Sequence, residues 1–265
     1  MGMHPAGRET VLALRDETRG GSLKRFHLTA GKLLELAKRH LPAGDVDEFA
    51  AALRHDWSAR RLIELVSSGS PHVAHVASVG LGLIGGMTAV PALAEVLRLQ
   101  NLDAVRAAES ALWSIWFRAA GPAPQTELFN AMALIAENQT ADGIAQITDL
   151  IRQYPRYAEA FDQRAAANYL CDRPERARGD YRQAIHLNPH HFAARAGEGS
   201  CEAAMGRFRE ALNCYATALS IHPRMEGVRQ TMRRLREFTP TRSGAQPSAA
   251  FLSLVMPDSG SIVLR

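Results

Sequence analysis

The chain is 265 residues long with 46% apolar and 22% charged residues, the usage of a globular protein and far from the apolar-poor, highly charged profile of a disordered one. Its net charge of +4 lies largely outside residues 45–225, and Lys24, Lys32 and Lys38 stand against 28 arginines, so the basic balance is an arginine habit rather than a phosphate-neutralising groove. Cys171, Cys201 and Cys214 are too few and too irregularly spaced for a disulfide framework or a zinc knuckle, and the charge-poor stretch between Arg61 and Glu95 is broken by Glu64, Pro71 and five glycines, which excludes a membrane span.

Residues 1–28 mix glycine with scattered charge and carry no apolar run of the signal-peptide kind; they read as a flexible N-terminal segment of a cytoplasmic protein, with a loose helix around Glu9 to Glu17. Residues 29–121 show a helical pattern that partly repeats. The runs Val73 to Ile84 and Val105 to Ile115 align at an offset of 31, pairing Ala77 with Ala108 and Leu81 with Leu112. Between them lies PALAEVL (Pro91 to Leu97), and before them SARRLIELVSSGSP (Ser58 to Pro71). This alternation of alanine-rich helices, glycine turns and a proline-opened helix resembles bacterial HEAT-like repeats, such as those of the phycobilisome-lyase group.

Within this block Gly80-Leu81-Gly82-Leu83-Ile84-Gly85 satisfies the GxGxxG spacing of nicotinamide-dependent dehydrogenases, in which glycines let the backbone approach a pyrophosphate at a helix N-terminus. The context argues otherwise. Pro91 would fall inside the following helix, and Asp103, at the distance of the ribose-binding carboxylate, opens another helical run. The glycines are expected to end one helix, with Thr88 capping the next and Pro91 in its first turn. No cofactor is expected, and an NAD-dependent enzyme built on Gly80 to Gly85 remains the alternative. Trp113, Trp116 and Phe117, spaced i, i+3, i+4, share one helix face and are expected to be buried where this block meets the next.

Residues 122–238 carry a clear period: Pro155, Pro189 and Pro223 recur every 34 residues, each closing a helical stretch. With the proline at position 32, Ala177 and Ala211 fall at position 20, Tyr181 and Tyr215 at 24, Ala184 and Ala218 at 27, and Ala165 and Gly199 at 8. These residues resemble the tetratricopeptide repeat, with units at 158–191 and 192–225, a degenerate unit at 124–157, and a capping helix on Val228, Met232 and Leu235. The expected fold is an all-α superhelical solenoid: HEAT-like pairs, about three tetratricopeptide units and the cap.

The resemblance implies a non-enzymatic scaffold that holds a protein or peptide on the concave face of the repeats. The residues lining that face would be Glu159, Asp162, Ala166, Tyr169 and Leu170 in one unit, and Ala193, Ala196, Ser200, Ala203 and Ala204 in the next. No lysine or asparagine clamp for a terminal carboxylate is present there, and Glu159 and Asp162 would repel one. His186, His190, His191 and His222 read as solvated loop residues rather than metal ligands. Arg229, Arg233, Arg234 and Arg236 keep open a second alternative, an arginine-mediated binder of nucleic acid or an anionic surface. Residues 239–265 read as a linker and an apolar tail, a small hairpin around Pro257 to Gly260, whose 250–264 segment could dock on the alanine-lined groove.

Overall fold

A computed structural model describes residues 29–67 and 70–237. The readings of residues 1–28 and 239–265, including the hairpin and the docking tail, lie outside the described residues. Among the described residues there are helices and no strand, so the chain is an all-α solenoid. In chain order they are α1 (29–40), α2 (Val46–Asp56), α3 (Ala59–Val66), α4 (Pro71–Ile84), α5 (Val90–Val96) and α6 (Leu102–Phe117), then α7 (Pro122–Ala136), α8 (Thr140–Gln153), α9 (Ala158–Leu170), α10 (Pro174–Leu187), α11 (Phe192–Ala204), α12 (Phe208–Ile221) and α13 (Glu226–Glu237).

Local chemistry sets several boundaries. The Ser58 hydroxyl accepts the Arg61 N–H at the start of α3, and Asn101 Oδ1 accepts the Ala104 N–H, at 2.8 Å, at the start of α6. Pro71, Pro91, Pro122 and Pro174 occupy first turns, where a missing N–H costs nothing. The turns inside the three C-terminal helix pairs each pass through the left-handed region, at Asn138 (φ 64°), Asp172 (φ 54°) and Gly206 (φ 74°), again 34 residues apart.

The C-terminal helices pack as the pairs α7–α8, α9–α10 and α11–α12, stacked one on the next. Ala177, Ala184, Ala211 and Ala218 are fully buried at the helix contacts, as the register requires. The knobs Tyr181 and Tyr215 lie on Gly197 and Gly199 of α11; a Cβ at Gly199 would come within 2.8 Å of the Tyr215 ring, so only glycine admits it. The capping helix α13 packs on α12 through Val228, Met232 and Leu235.

In the N-terminal block α3 packs on α4, and α4 and α5 on α6, around Leu53, Leu62, Leu81, Leu93 and Leu112. The GxGxxG run is resolved here. Gly80 and Gly82 lie inside α4, where their N–H groups belong to the helix ladder and cannot turn to a phosphate, and a Cβ on Gly82 would sit 3.2 Å from Ala111 Cα of α6. Only Gly85 ends the helix, its backbone N–H bonding the Leu81 carbonyl. Thr88 does not cap α5: it lies in the 3-10 turn Met87–Ala89 that leads into it, while Pro91 takes the expected first-turn place. Arg118 reaches back to the carbonyls of Leu81, Gly82 and Gly85, bonding the C-terminal end of α4.

The two blocks meet twice. At the first seam the Tyr157 hydroxyl donates to the Phe117 carbonyl, and Trp116 stacks on His191 with ring centroids 4.3 Å apart. At the second, Arg98 Nη2 donates to the Ser220 carbonyl and Arg224 Nη2 to the Leu99 carbonyl, both at 2.8 Å. The solenoid therefore curls until its last pair touches the α5–α6 turn, and α6 runs along the inner side of the repeats.

Candidate functional site

The inner side is where the concave-face residues were expected, and the structure divides them. Leu170 is 43% exposed, while Tyr169, Ala193, Ala196 and Ala204 are half-buried. Glu159, Asp162, Ala166, Ser200 and Ala203 are buried within the chain, which corrects the expectation that they lie open to a partner. Ala203 is covered by α12 and α13, beside Tyr215 and Val228, and the acidic pair by α6. Its aromatic face fills much of the groove that the first helices of the repeats would otherwise present to solvent: Trp116 and Phe117 are buried and Trp113, half-buried, sets its ring edge-on to Phe192 at 5.9 Å.

The histidines are the second correction. His186 is exposed and His190 half-buried, but His191 is fully buried and His222 is 4% exposed. His191 caps α11, its Nδ1 accepting the Ala194 N–H at 3.2 Å, so its proton sits on Nε2 and points at Glu159 Oε2, 3.2 Å away. Glu159 also accepts from Gln163 Nε2 at 2.8 Å. Asp162 completes a buried cluster with ligand atoms within 4.8 Å of one another, as a metal site would need. The tautomer set by the cap, however, turns an N–H rather than a lone pair toward the carboxylates. Burial pushes the Asp162 carboxyl up to about 7, Glu159 adding to this and His191 opposing it. For His191 burial favours the neutral ring, but Asp162 and Glu159 together outweigh it and the imidazole lies above its ordinary value. The signal in the sequence was positional: His191 occupies the place of Tyr157 one repeat earlier, a large residue two places after the closing proline that both times turns inward.

Beside this cluster α6, α9, α11 and α13 line a partly open cavity of about 480 Å³. Trp113, Phe192, Val228 and Met225 supply its apolar wall, Ala193, Ala196 and Ser200 its floor, and Asp162, Glu109 and His222 its polar points. Four of the predicted residues, Asp162, Ala193, Ala196 and Ser200, are thus brought together. Glu109, His222 and the α6 aromatics were not foreseen as wall, since nothing local in the sequence says that α6 lies in the repeats' groove. A second, more open cleft of about 620 Å³ shares Trp113 and Phe117 and is edged by Phe129.

Other chemistry is muted. Burial raises the Cys201 thiol and pushes that of Cys214 up to about 12, with Glu198 and Glu202 adding to it, so neither is a ready thiolate. Arg229, Arg233, Arg234 and Arg236 are exposed on α13, where Arg229 pairs with Glu226 at 2.6 Å. No described helix is long and apolar enough to cross a membrane.

No protein-family description and no curated protein match this chain. Among solved structures it is similar to the first tetratricopeptide domain of Spaghetti (RPAP3) bound to the HSP90 peptide SRMEEVD, at 18% identity and TM-score 0.42, over 43% of this chain and 90% of that one. It is also similar to TTC0263, a thermophilic tetratricopeptide protein of Thermus thermophilus, at 18% identity and TM-score 0.35, over 79% of this chain and all of that one. At these values the likeness is one of helical architecture.

Proposed function

We propose that the chain is a non-catalytic adaptor that binds a protein or peptide along the inner side of its solenoid, residues 122–238 acting as tetratricopeptide units and residues 29–121 as a HEAT-like block laid against them. The observation that carries this reading is the apolar rim of the inner groove. Leu102, 50% exposed, edges the partly open cavity, and Phe129, 45% exposed, edges the second cleft; both spaces share Trp113 and Phe117, so the rim is continuous. Two of the exposed large apolar side chains thus border one continuous groove, and an exposed apolar edge around a groove is a usual mark of an interaction surface. Two such side chains would contribute about 1.5–3 kcal/mol each on burial. A clamp built on lysines is not what holds the partner, since residues 122–238 contain none.

The test is capture from the native cell by the full chain and by Leu102→Arg and Phe129→Arg, with Met87→Arg, at an exposed apolar site that lines neither space, as control. A partner lost with the first two and kept with the third supports the reading; a partner kept by all three overturns it.

A further inference from the structure

The last helix forms part of the groove's wall, and the chain continues from it. Val228 and Thr231 of α13 line the partly open cavity, and α13 ends at Glu237, six positions beyond Thr231 and about 9 Å further along the helix axis. Phe251 follows Glu237 by 14 positions, a span of roughly 20 Å as a coil and up to about 45 Å when extended. Residues 251–256, Phe-Leu-Ser-Leu-Val-Met, are therefore tethered within reach of the cavity.

The segment and the cavity match in chemistry. From Ser243 to Pro257 the chain carries no charge, and five of the six residues 251–256 are apolar. The cavity lining carries charge of both signs, Arg106 and Arg224 against Glu109 and Glu226, so it selects no charged ligand. Two of these are already engaged, Arg224 with the Leu99 carbonyl and Glu226 with Arg229 and Gln230. What the cavity offers is apolar surface, from Trp113, Phe192 and Val228 beside the small Ala193 and Ala196, with Leu102 half exposed at its edge. At about 480 Å³ it takes the side chains of a single segment rather than a helix. A tether of this length holds its segment at an effective concentration on the order of 1 mM, a standing advantage over a free ligand at micromolar concentration.

We propose that residues 251–256 dock in this cavity of their own chain, Phe251 and Leu254 against Trp113, Phe192 and Ala196, so that the tail occupies the groove until a partner displaces it. The inference rests on the reading of this groove as the partner-binding face and adds its regulation. Affinity comes from apolar burial, and the uncharged segment meets no unpaired charge on entering. A tail whose free peptide binds with a dissociation constant of about 0.1 mM would, at that effective concentration, leave the groove open in about one molecule in ten. An outside ligand of the same site then binds the intact chain about tenfold more weakly than a chain whose tail is released.

The probe is a fluorescein-labelled peptide of residues 248–258, titrated by anisotropy into the full chain and into the full-length double variant Phe251→Asp, Leu254→Asp, whose changes lie outside the helices described above. The variant is expected to bind the peptide, and the native chain to bind it at least about tenfold more weakly, because its own tail competes. Adding Leu102→Arg to the variant should remove peptide binding, and adding Met87→Arg should leave it. If Leu102→Arg fails to fold by circular dichroism, the comparison of native chain and tail variant still decides. Equal affinity of the two for the peptide, no saturation with the variant, or binding that survives a folded Leu102→Arg would each overturn the proposal. A dimer seen by light scattering in the native chain and lost in the tail variant would place the tail on a second copy and overturn docking within one chain. Partner capture separates this inference from the adaptor reading. A partner held equally by native chain and tail variant, yet lost with Phe129→Arg, overturns the displaceable tail alone; a partner kept by both Leu102→Arg and Phe129→Arg overturns the adaptor reading.

Discussion

Asp162 and His191 are two buried titrating groups, and the effect of Asp162 on stability has a definite sign. Asp162 is pushed from 3.8 up to about 7, so the folded chain keeps a proton that the unfolded chain has already released. Stability therefore falls as pH rises from about 4 through 7, because the folded state binds more protons throughout that interval. Urea denaturation should find the protein more stable near pH 5.5 than near pH 8. Asp162→Asn should flatten that slope and be the more stable protein at the higher pH, by on the order of 2 kcal/mol. A profile that rises or stays level over this interval would show that Asp162 is ionised and compensated. None of this was visible in the residue string, where Glu159 and Asp162 have the spacing of a solvent-facing pair and His191 looks like half of a loop dipeptide. Their character comes from α6, more than forty residues upstream, closing over them.

At the level of helices and turns much more was legible, and the reason is geometric. A 34-residue period forces small residues wherever two helices cross, and those alanines and glycines stand in the sequence at the same interval as in the structure. The left-handed turn positions follow the same beat, yet carry three different residues, Asn138, Asp172 and Gly206, so the shared backbone conformation is hidden by unlike side chains. Gly206→Ala should destabilise by about 1–2 kcal/mol, the cost of a Cβ in that region. Gly179, in the exposed middle of α10 with nothing near a would-be Cβ, should behave in the opposite way: Gly179→Ala should stabilise by about 0.5–1 kcal/mol. Thermal melts of the two variants test both statements, and a Gly206→Ala melt matching the native one would remove the left-handed turn from the argument. The N-terminal block was read less well because its period is weaker: the glycines of α4 look like a phosphate turn or a helix end, and only the structure shows that Gly82 lets α4 approach Ala111 of α6 while Gly80 makes room for Leu53 and Leu62.

For the whole molecule, the two seams mean that the halves do not stand alone. Phe192 of α11 packs with the N-terminal core, and the rings of Trp116 and His191 are stacked across the first seam. Expressed by itself, residues 122–238 should be less stable than the full chain by at least about 3 kcal/mol, since that fragment exposes Phe192 and returns a buried histidine to water. Guanidinium unfolding of the two proteins checks this, and equal midpoints would mean that the repeats fold without help. The full chain should lose both blocks in a single transition seen alike by tryptophan emission and circular dichroism.

The contact of Arg98 with Ser220 and of Arg224 with Leu99 joins residues 122 and 125 positions apart in the chain. An open array of repeats folds through near neighbours and tolerates gain or loss of a unit, its stability roughly a sum over adjacent pairs. A chain whose ends must find each other has a higher contact order and a slower, later closing step. It also has a fixed count. Adding one more 34-residue pair before α11 would carry Ser220 and Arg224 past the α5–α6 turn by a full unit, so this architecture ties the number of repeats to the curvature of the coil and leaves evolution little freedom to change either alone.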